Sequence, residues 1–436
     1  MFDLAEKTLK IAEQLGADEA EVFIIHNRSI TADLKRRTIE SGKERVSEGI
    51  GIRTIVNGAV GFASTNMVER IDDAVKVAVS SARIRESDPD WTALPSNSKY
   101  PEVSGTFDKR IDEIGLDECI SLTGEMINGA LSIPNVNTTS GSFSTTVTRQ
   151  MIMNTNGVEV VDEGTGVSGF VDVITTEGDI STAYDFEVSR SLDINTFNIG
   201  KNAAELALRS QNGMSIEPQK TNVILHPFAF SDILGNTFEP SLDADNVQKG
   251  RSSLIGKIGE KIATSELTMI DDGTLHGGIE TSISDEEGTP SQRTTIIEKG
   301  VFSSYLYDSY TAGKDKTTST GNGIRHSYAS TPSIGSRNLI MEHPQSDIID
   351  ETEEGVFINT VIGAHTANAI SGDFSVEARN AFTIKDGEID KPIKSLMLSG
   401  NIFDMLSNIT GAGKDIRKVG GTVTPSLKIS NMSIVG

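Results

Sequence analysis

The sequence predicts an α+β protein of two domains, and three observations lead to this class. Its 436 residues exceed what one ordinary hydrophobic core organises. Helical periodicity is clearest in the first half, whereas the second half is rich in glycine and in short strand patterns. We therefore expect an N-terminal α/β domain over residues 1–215 and a C-terminal domain over residues 216–436, dominated by a large, curved antiparallel β-sheet.

The N-terminal elements begin with a helix. Asp3 and Glu6 have the spacing of a capping box, and Gly16 stands where such a helix commonly ends. Two short strands are predicted next, over Ala20–Ile25 and Ile30–Leu34.

A hairpin and a second helix follow. Asn57-Gly58 separates the apolar runs Gly51–Val56 and Ala59–Ser64, which is a strong signal for a two-residue turn. Asn66 and Glu69 repeat the capping spacing before the second helix. Its predicted buried side consists of Ile71, Ala74, Val75, Ala78 and Ala82.

The remainder of the N-terminal half contains two more helices around a β-meander. A third helix is predicted over about Leu116–Leu131, and strands rich in Thr, Ser and Val over Val136–Arg190. Another helix lies near Gly200–Ser210, and Glu217-Pro218 is interpreted as the connector between the domains.

The C-terminal half is predicted to be mainly strands joined by tight turns. Strands over Thr294–Glu298 and Val301–Tyr307 form a hairpin through Lys299-Gly300. Further strands are predicted at Phe374–Lys385 and Ile393–Leu398, and short helices at Pro227–Leu234, Ser346–Glu351 and Asn401–Ile409.

Composition excludes several classes of function. The net charge of −23 argues against duplex DNA as a direct partner, because phosphate binding requires a cationic surface. Cys119 is the only cysteine, so no intrachain disulfide and no four-cysteine zinc site can form. No apolar stretch is long enough to span a membrane, and an acid follows the first two residues where a secretory signal would be basic. We expect a cytoplasmic protein.

Several segments, in this order along the chain, resemble the TldD/PmbA family of peptidases. They are Gly16–Val22, Gly49–Arg53, Gly58–Thr65, Gly250–Leu254, Asp271–Gly273, Asp285–Gly288, Glu298–Val301, Ser319–Asn322, Gly372–Ser375 and Ser399–Asn401. No single segment is specific, but their shared order over nearly the whole chain is.

The resemblance also indicates a branch of that family. TldD-like members look like zinc peptidases, with a His-Glu-x-x-x-His helix and a cysteine near the C-terminus. The corresponding segment here begins at His226, but Pro227 replaces the glutamate and Ser231 the second histidine. Residues 411–436 contain no cysteine. The resemblance is therefore to the TldE/PmbA branch, and we expect neither a metal site nor a cofactor in this chain.

For partners, the resemblance implies a TldD-like zinc peptidase subunit that carries the zinc and forms a heterodimer with this chain. The pair would cleave peptides or unfolded polypeptides. A homodimer is an equally compatible assembly, and the alternative function is a stand-alone homodimeric hydrolase that uses a different site. Gyrase modulation, which names part of the family, would be a downstream consequence of proteolysis.

Two acids in Asp285-Glu286-Glu287-Gly288 are candidates for that different site, or for a substrate-facing surface. Paired carboxylates such as Asp285 and Glu287 hold hard cations or act as acid and base. The alternative is an acidic turn that leads into the following strand. A metal site assembled from His276, Asp271 and Asp272 also stays open, although no two histidines have the spacing of a helical ligand pair.

A glycine-rich segment, Ser319–Arg325, has the character of a small anion-binding loop. Its backbone N–H groups and Arg325 suit a peptide carboxylate or backbone, while the spacing excludes a nucleotide P-loop. A plain β-connection is the alternative. We predict Arg325 and Asn338 as substrate-binding side chains. Cys119 lies among apolar residues of a predicted helix, which indicates a core thiol rather than a nucleophile.

Overall fold

The computed structural model describes residues 1–436. Strands β1 to β6 form one antiparallel sheet in the order β3-β2-β1-β4-β5-β6 and comprise β1 (Glu19–Lys35), β2 (Thr38–Val56), β3 (Ala59–Thr65), β4 (Val136–Asn154), β5 (Glu159–Thr175) and β6 (Thr182–Ser189). Four of these strands have 17 to 19 residues, far more than is usual.

The prediction of two short strands in the first segment was wrong, because β1 is continuous. The polar residues between them, His26 to Ser29, pair with β2 on one side and with β4 on the other. Arg28 also donates to the carbonyls of Asp112 and Ile114. A polar interruption therefore marks a change of environment along one strand and not a turn.

Five helices accompany this sheet: α1 (Phe2–Gln14), α2 (Ile71–Ile84), α3 (Lys109–Glu113), α4 (Leu116–Leu131) and α5 (Thr196–Arg209). The apolar side predicted for α2 is buried, and the predicted bounds of α4 are confirmed. The predicted caps were wrong. Asp3 lies inside the first turn of α1, and α2 begins after a 3₁₀ turn with no side-chain cap. Side-chain caps occur instead at α3, where Asp108 accepts from the Arg110 N–H, and at α5, where Asn195 accepts from the Asn198 N–H.

The Asn57-Gly58 hairpin is confirmed. Val56 of β2 pairs with Ala59 of β3, and the two turn residues have φ values of 51° and 76°. Positive φ at both central positions defines the type I′ turn, whose twist matches that of the strands.

The second half contains fifteen further strands and five helices. The strands are β7 (Gln219–Leu225), β8 (Thr268–Asp272), β9 (Arg293–Glu298), β10 (Val301–Phe302), β11 (Gly323–Ile324), β12 (Ser333–Ile334), β13 (Leu339–Glu342), β14 (Glu354–Ile362), β15 (Asp373–Lys385), β16 (Glu388–Ile393), β17 (Leu396–Asn401), β18 (Ile409–Ala412), β19 (Arg417–Val419), β20 (Thr422–Thr424) and β21 (Leu427–Val435). The helices are α6 (Pro227–Thr237), α7 (Glu239–Leu242), α8 (Ala244–Gln248), α9 (Ser309–Lys314) and α10 (Ile402–Ser407). None of the ten helices is long and apolar enough to cross a membrane.

Five of these strands close into a ring. β14 pairs with β7, β7 with β21, β21 with β17, β17 with β15, and β15 again with β14. A separate six-stranded sheet runs in the order β10-β9-β8-β13-β20-β19. The α+β class and the dominance of antiparallel pairing are confirmed, but there are two large sheets, and each contains one parallel pair.

Local predictions in this half were partly correct. The strand predicted over Val301–Tyr307 ends at Phe302, and the segment Ile393–Leu398 is divided between β16 and β17. The Lys299-Gly300 hairpin is present, and α6 and α10 lie where helices were predicted. No helix forms over Ser346–Glu351. The segment makes a single turn, in which the Glu351 N–H donates to the carbonyl of Asp347, and the Ser346 N–H donates to the carbonyl of Ala412. The sequence also gave no sign of β16 as a separate strand.

The two halves pack through the face of the first sheet that the helices leave free. Phe23 of β1 and Val158 form an apolar cluster with Ile283 and Tyr328 from the second half. The Tyr328 ring packs against β2, where a Cβ added at Gly49 would lie 2.0 to 2.4 Å from three of its ring atoms. Glycine is therefore required there by close approach and not by its backbone angle.

Candidate functional site

The acidic turn at Asp285 is ordered by its own carboxylate. One oxygen of Asp285 accepts from the backbone N–H groups of Glu287 (3.0 Å) and Thr289 (2.8 Å), and the other from that of Gly323 (2.9 Å). Its side chain is fully buried, as is that of Glu287. The turn therefore holds two carboxylates out of water at the junction of the two halves.

Glu287 is the centre of a buried ion-pair network. It accepts from Arg53 Nη1 at 2.9 Å and from the Ser309 hydroxyl at 2.7 Å and N–H at 2.8 Å. Arg53 Nη2 donates at 2.6 Å to Glu21, which also pairs with Arg325. Glu21 and Arg53 belong to the first sheet and the other members to the second half, so this network joins the two.

The titration of these groups follows from burial and from their neighbours. Burial and then the charge of Glu287 raise the pKa of Asp285 to about 8, against three backbone donors. Burial also raises the pKa of Glu287, but the Arg53 charge and the Ser309 donors outweigh it, and the net direction is downward. Burial and then Glu287 raise the pKa of Asp308, which caps α9, to about 6. At pH 7 the cluster therefore carries an ionised Glu287 beside Asp285, which holds a proton.

The glycine-rich segment before Arg325 does bind anions, but they belong to the chain itself. Its Gly323 N–H donates to Asp285, and the Arg325 N–H donates to Glu286. The Arg325 guanidinium donates to the carbonyls of Glu286 (3.1 Å) and Ser330 (2.9 Å), besides its pair with Glu21. The predicted donors are thus occupied internally.

Asn338 lies apart from this cluster. Its amide donates to the carbonyl of Asp272 (2.7 Å) and to the Thr281 hydroxyl (3.0 Å), and its oxygen accepts from the Glu280 N–H (3.1 Å). Every polar atom of the side chain is thereby used to hold the turn that follows β8.

The structure thus brings Asp285, Glu287 and Arg325 together, places Asn338 elsewhere, and leaves their substrate-binding role a prediction. Glu21 and Arg53 were missed by the sequence reasoning. One signal could have indicated Arg53, since a charged residue interrupts the apolar run Gly51–Val56. Such a residue in a buried strand requires a partner.

The three residues suggested as a distant metal set have other partners. Asp271 accepts from the Asn322 amide and from the Arg337 N–H, and Asp272 accepts from Thr274. His276 Nδ1 lies 2.8 Å from the Ser104 hydroxyl. No group of three or more His, Cys, Asp or Glu side chains has the arrangement of a metal site.

The segment that aligns with a zinc-binding helix is α6. His226 caps it, with Nδ1 accepting the Phe228 N–H at 3.3 Å, and Pro227 occupies the first helical position. Ser231, one turn later, is buried with no hydrogen-bond partner for its hydroxyl. Burial and then the charge of Arg417 lower the pKa of His226 to about 4, so the imidazole is neutral at pH 7.

Aromatic rings and a cation surround the start of α6. Phe228 stacks with Phe186 at a centroid distance of 4.5 Å and with Tyr184 at 5.8 Å. The Arg417 guanidinium lies 4.6 Å from the Phe228 ring and donates to Asp185 at 3.2 Å. One cation, Arg417, and one acid, Asp415, therefore act on His226 at this helix end, and their effects on its pKa are opposite.

Comparison with known sequences gives the class of protein that this architecture represents. Profiles of the PmbA/TldA metallopeptidase match domain 1 at residues 20–82, the central domain at residues 109–211 and the C-terminal domain at residues 218–436. An uncharacterized protein of Methanocaldococcus jannaschii is 36% identical over 97% of both chains. A metalloprotease of the same organism is 26% identical over 94% of this chain and 92% of its own length. The chain belongs to the TldD/PmbA family.

Solved structures agree with this assignment. TldE from Thermococcus kodakarensis superimposes with a TM-score of 0.94 at 25% identity, and the match covers 99% of this chain and 100% of that one. A protein of Thermotoga maritima described as a modulator of a DNA gyrase has the same fold, with a TM-score of 0.93 at 24% identity over the full length of both chains.

Proposed function

We propose that this chain is a TldE/PmbA-like subunit, without a zinc site of its own, that pairs with a TldD-like zinc peptidase to cleave peptides or unfolded polypeptides. The observation that carries this proposal is the start of α6. There Pro227 and Ser231 replace two of the three residues that zinc-dependent hydrolysis requires.

The surroundings of α6 support the same proposal. A zinc ion near His226 would face the Arg417 cation and the Phe228 stack, with Asp415 as the one acid that acts on His226, whereas zinc sites usually offer three or four donor atoms. The similarity to TldE from Thermococcus kodakarensis supports the choice of branch. We also propose a cytoplasmic location, which suits a chain whose one cysteine, Cys119, is free and buried.

The stand-alone hydrolase receives less support. Asp285 and Glu287 are fully buried, and their oxygens already accept from Arg53, Ser309 and backbone N–H groups. A substrate would have to open the junction between the halves before it reached either carboxylate.

Reconstitution with a TldD-like subunit from the same source tests the proposal. Size-exclusion chromatography with light scattering should show a one-to-one complex, and peptide hydrolysis should require both chains. Replacing the glutamate of the TldD-like subunit's His-Glu-x-x-x-His motif should abolish hydrolysis, whereas His226→Ala in this chain should not.

Two results would overturn the proposal. One is the absence of a complex together with no gain in hydrolysis. The other is hydrolysis by this chain alone that disappears in Asp285→Asn, which would favour the homodimeric enzyme.

A further inference from the structure

A polar cavity of about 530 Å³ lies between the first sheet and the second half, beside the closed carboxylate cluster. Its walls include Thr148 and Asp162 from the sheet and Glu280 and Arg337 from the second half, and only two of its 18 lining residues are hydrophobic. Small-molecule sites have this size but usually have mostly apolar walls. A ligand of this cavity would therefore be small and charged.

Two arginines in this cavity have no acidic partner. Arg190 donates to the carbonyls of Gly278 (3.1 Å), Thr165 (3.2 Å) and Thr281 (3.0 Å). Arg337, which is only 7% exposed, donates to the Glu280 carbonyl from Nε (3.0 Å) and Nη2 (2.8 Å). Both guanidinium groups are thus fixed in place by neutral oxygens, while their charge is uncompensated by any ion pair.

These two cations also repel each other. Burial lowers the pKa of Arg190 against the opposing charges of Glu280 and Asp162, and the neighbouring charge of Arg337 lowers it further. A buried cation without a counter-ion is costly, and an anion placed between two of them removes that cost. The arrangement therefore suits a carboxylate.

Five acidic residues also line the cavity without forming an ion pair with either arginine: Asp162, Glu163, Glu239, Glu280 and Glu286. Asp162 accepts from the Ile283 N–H at 3.2 Å, and burial raises its pKa. The exposed Glu280 carboxylate accepts no hydrogen bond. Both acids act on Arg190 through space, at more than ion-pair distance. Separated charges of both signs around one cavity match a ligand that carries both.

We propose that this cavity binds a short peptide with free termini, its carboxylate at Arg190 and Arg337 and its ammonium group at Glu280 and Asp162. The biological meaning rests on the proposed function, because peptides of two or three residues are what a peptidase complex releases. The binding itself belongs to this chain and needs no partner.

Isothermal titration calorimetry on the chain alone tests this with alanine, Ala-Ala and Ala-Ala-Ala. The controls are Ala-Ala with an acetylated N-terminus, Ala-Ala with an amidated C-terminus, and inorganic phosphate. We expect the di- or tripeptide to bind best and each blocked form to lose roughly tenfold or more in affinity, as expected when a charge-assisted hydrogen bond is removed.

Variants assign the two ends. Arg190→Gln should weaken the free peptide but not the amidated one, and Arg190→Lys should restore part of the affinity. Glu280→Gln changes an exposed side chain without hydrogen bonds, so it folds even if the arginine variant does not, and it should weaken the free peptide but not the acetylated one. Arg293→Gln, at an exposed arginine on β9, is the matched control and should change nothing.

Three results would overturn the proposal: no heat from any peptide at millimolar concentration, equal binding of alanine and the peptides, or phosphate binding as tight as that of Ala-Ala. Because no partner subunit is present, these failures are distinct from a failure of the proposed complex.

Discussion

Replacing Arg53 with methionine tests whether the buried network holds the two halves together. Methionine keeps much of the volume but removes the only cation that contacts Glu287, while Glu21 keeps its pair with Arg325. The variant is therefore expected to leave one fully buried carboxylate without a counter-ion.

The expected loss in free energy of unfolding can be worked out from the least costly response of the variant, which is protonation of Glu287. Taking up a proton at pH 7 from an ordinary glutamate pKa of about 4.3 costs about 1.36 kcal/mol per unit, or about 3.7 kcal/mol. Removing one partner of a buried ion pair typically costs about 3–5 kcal/mol, so the two estimates agree.

The direction in which this stability loss changes with pH also follows from the titration of Glu287. In the variant the folded chain holds one more proton than the wild type, because the pKa of Glu287 would be raised instead of lowered. An acid whose folded pKa is raised loses stability as pH increases, so the deficit should shrink by about 2.7 kcal/mol between about pH 7 and pH 5.

Urea denaturation followed by Trp91 fluorescence is the assay, since this single tryptophan has its ring centroid 5.9 Å from the Arg53 guanidinium. Arg293→Met is the control, because this exposed arginine pairs with Glu342 at 3.3 Å and should cost at most about 1 kcal/mol. A loss below about 1 kcal/mol for Arg53→Met, or the same loss at both pH values, would refute the reasoning.

Three further predictions concern single positions. The pKa of Asp285, raised to about 8 in the folded chain, should make the free energy of unfolding fall as pH rises from about 4 to 8, and Asp285→Asn should flatten this slope in urea titrations at several pH values. Gly49→Ala should lower the free energy of unfolding by about 1–3 kcal/mol because its Cβ would clash with the Tyr328 ring. In a double-mutant cycle, adding Tyr328→Ala should remove most of the cost of Gly49→Ala, and additive costs would contradict the contact. Gly58→Ala should lower stability by about 1 kcal/mol, because φ is 76° there, and an unchanged thermal midpoint would argue against the strained turn.

Turns and helix positions that depend on near neighbours in sequence were predictable, whereas the caps of α1 and α2 were not. The Asn57-Gly58 turn, the bounds of α4 and the position of α6 all follow from turn chemistry or helical periodicity. The family resemblance, stated from ordered segments, is confirmed by profiles over all three parts of the chain.

Features that depend on pairing between distant residues were not predictable from the sequence. Nothing local to Glu287 indicates that Arg53, far earlier in the chain, supplies its counter-ion. Likewise, the sequence indicates two separate sites at the acidic turn and the glycine-rich segment, whereas in the fold the donors of the glycine-rich segment satisfy the acceptors of the acidic turn. Local patterns report which groups need partners, and only the fold decides which partners they receive.

The closed ring of strands has a consequence for synthesis of the chain. β7 lies between β14 and β21, so both of its edges remain open until strands far downstream have emerged from the ribosome. The first sheet pairs mainly between consecutive strands and can form early. We expect a nascent chain with a folded first half and an unpaired β7, whose residues Val223 to Leu225 are apolar. Such an unpaired apolar strand is a surface that chaperones bind, and we expect it to aggregate when translation stalls before Leu427.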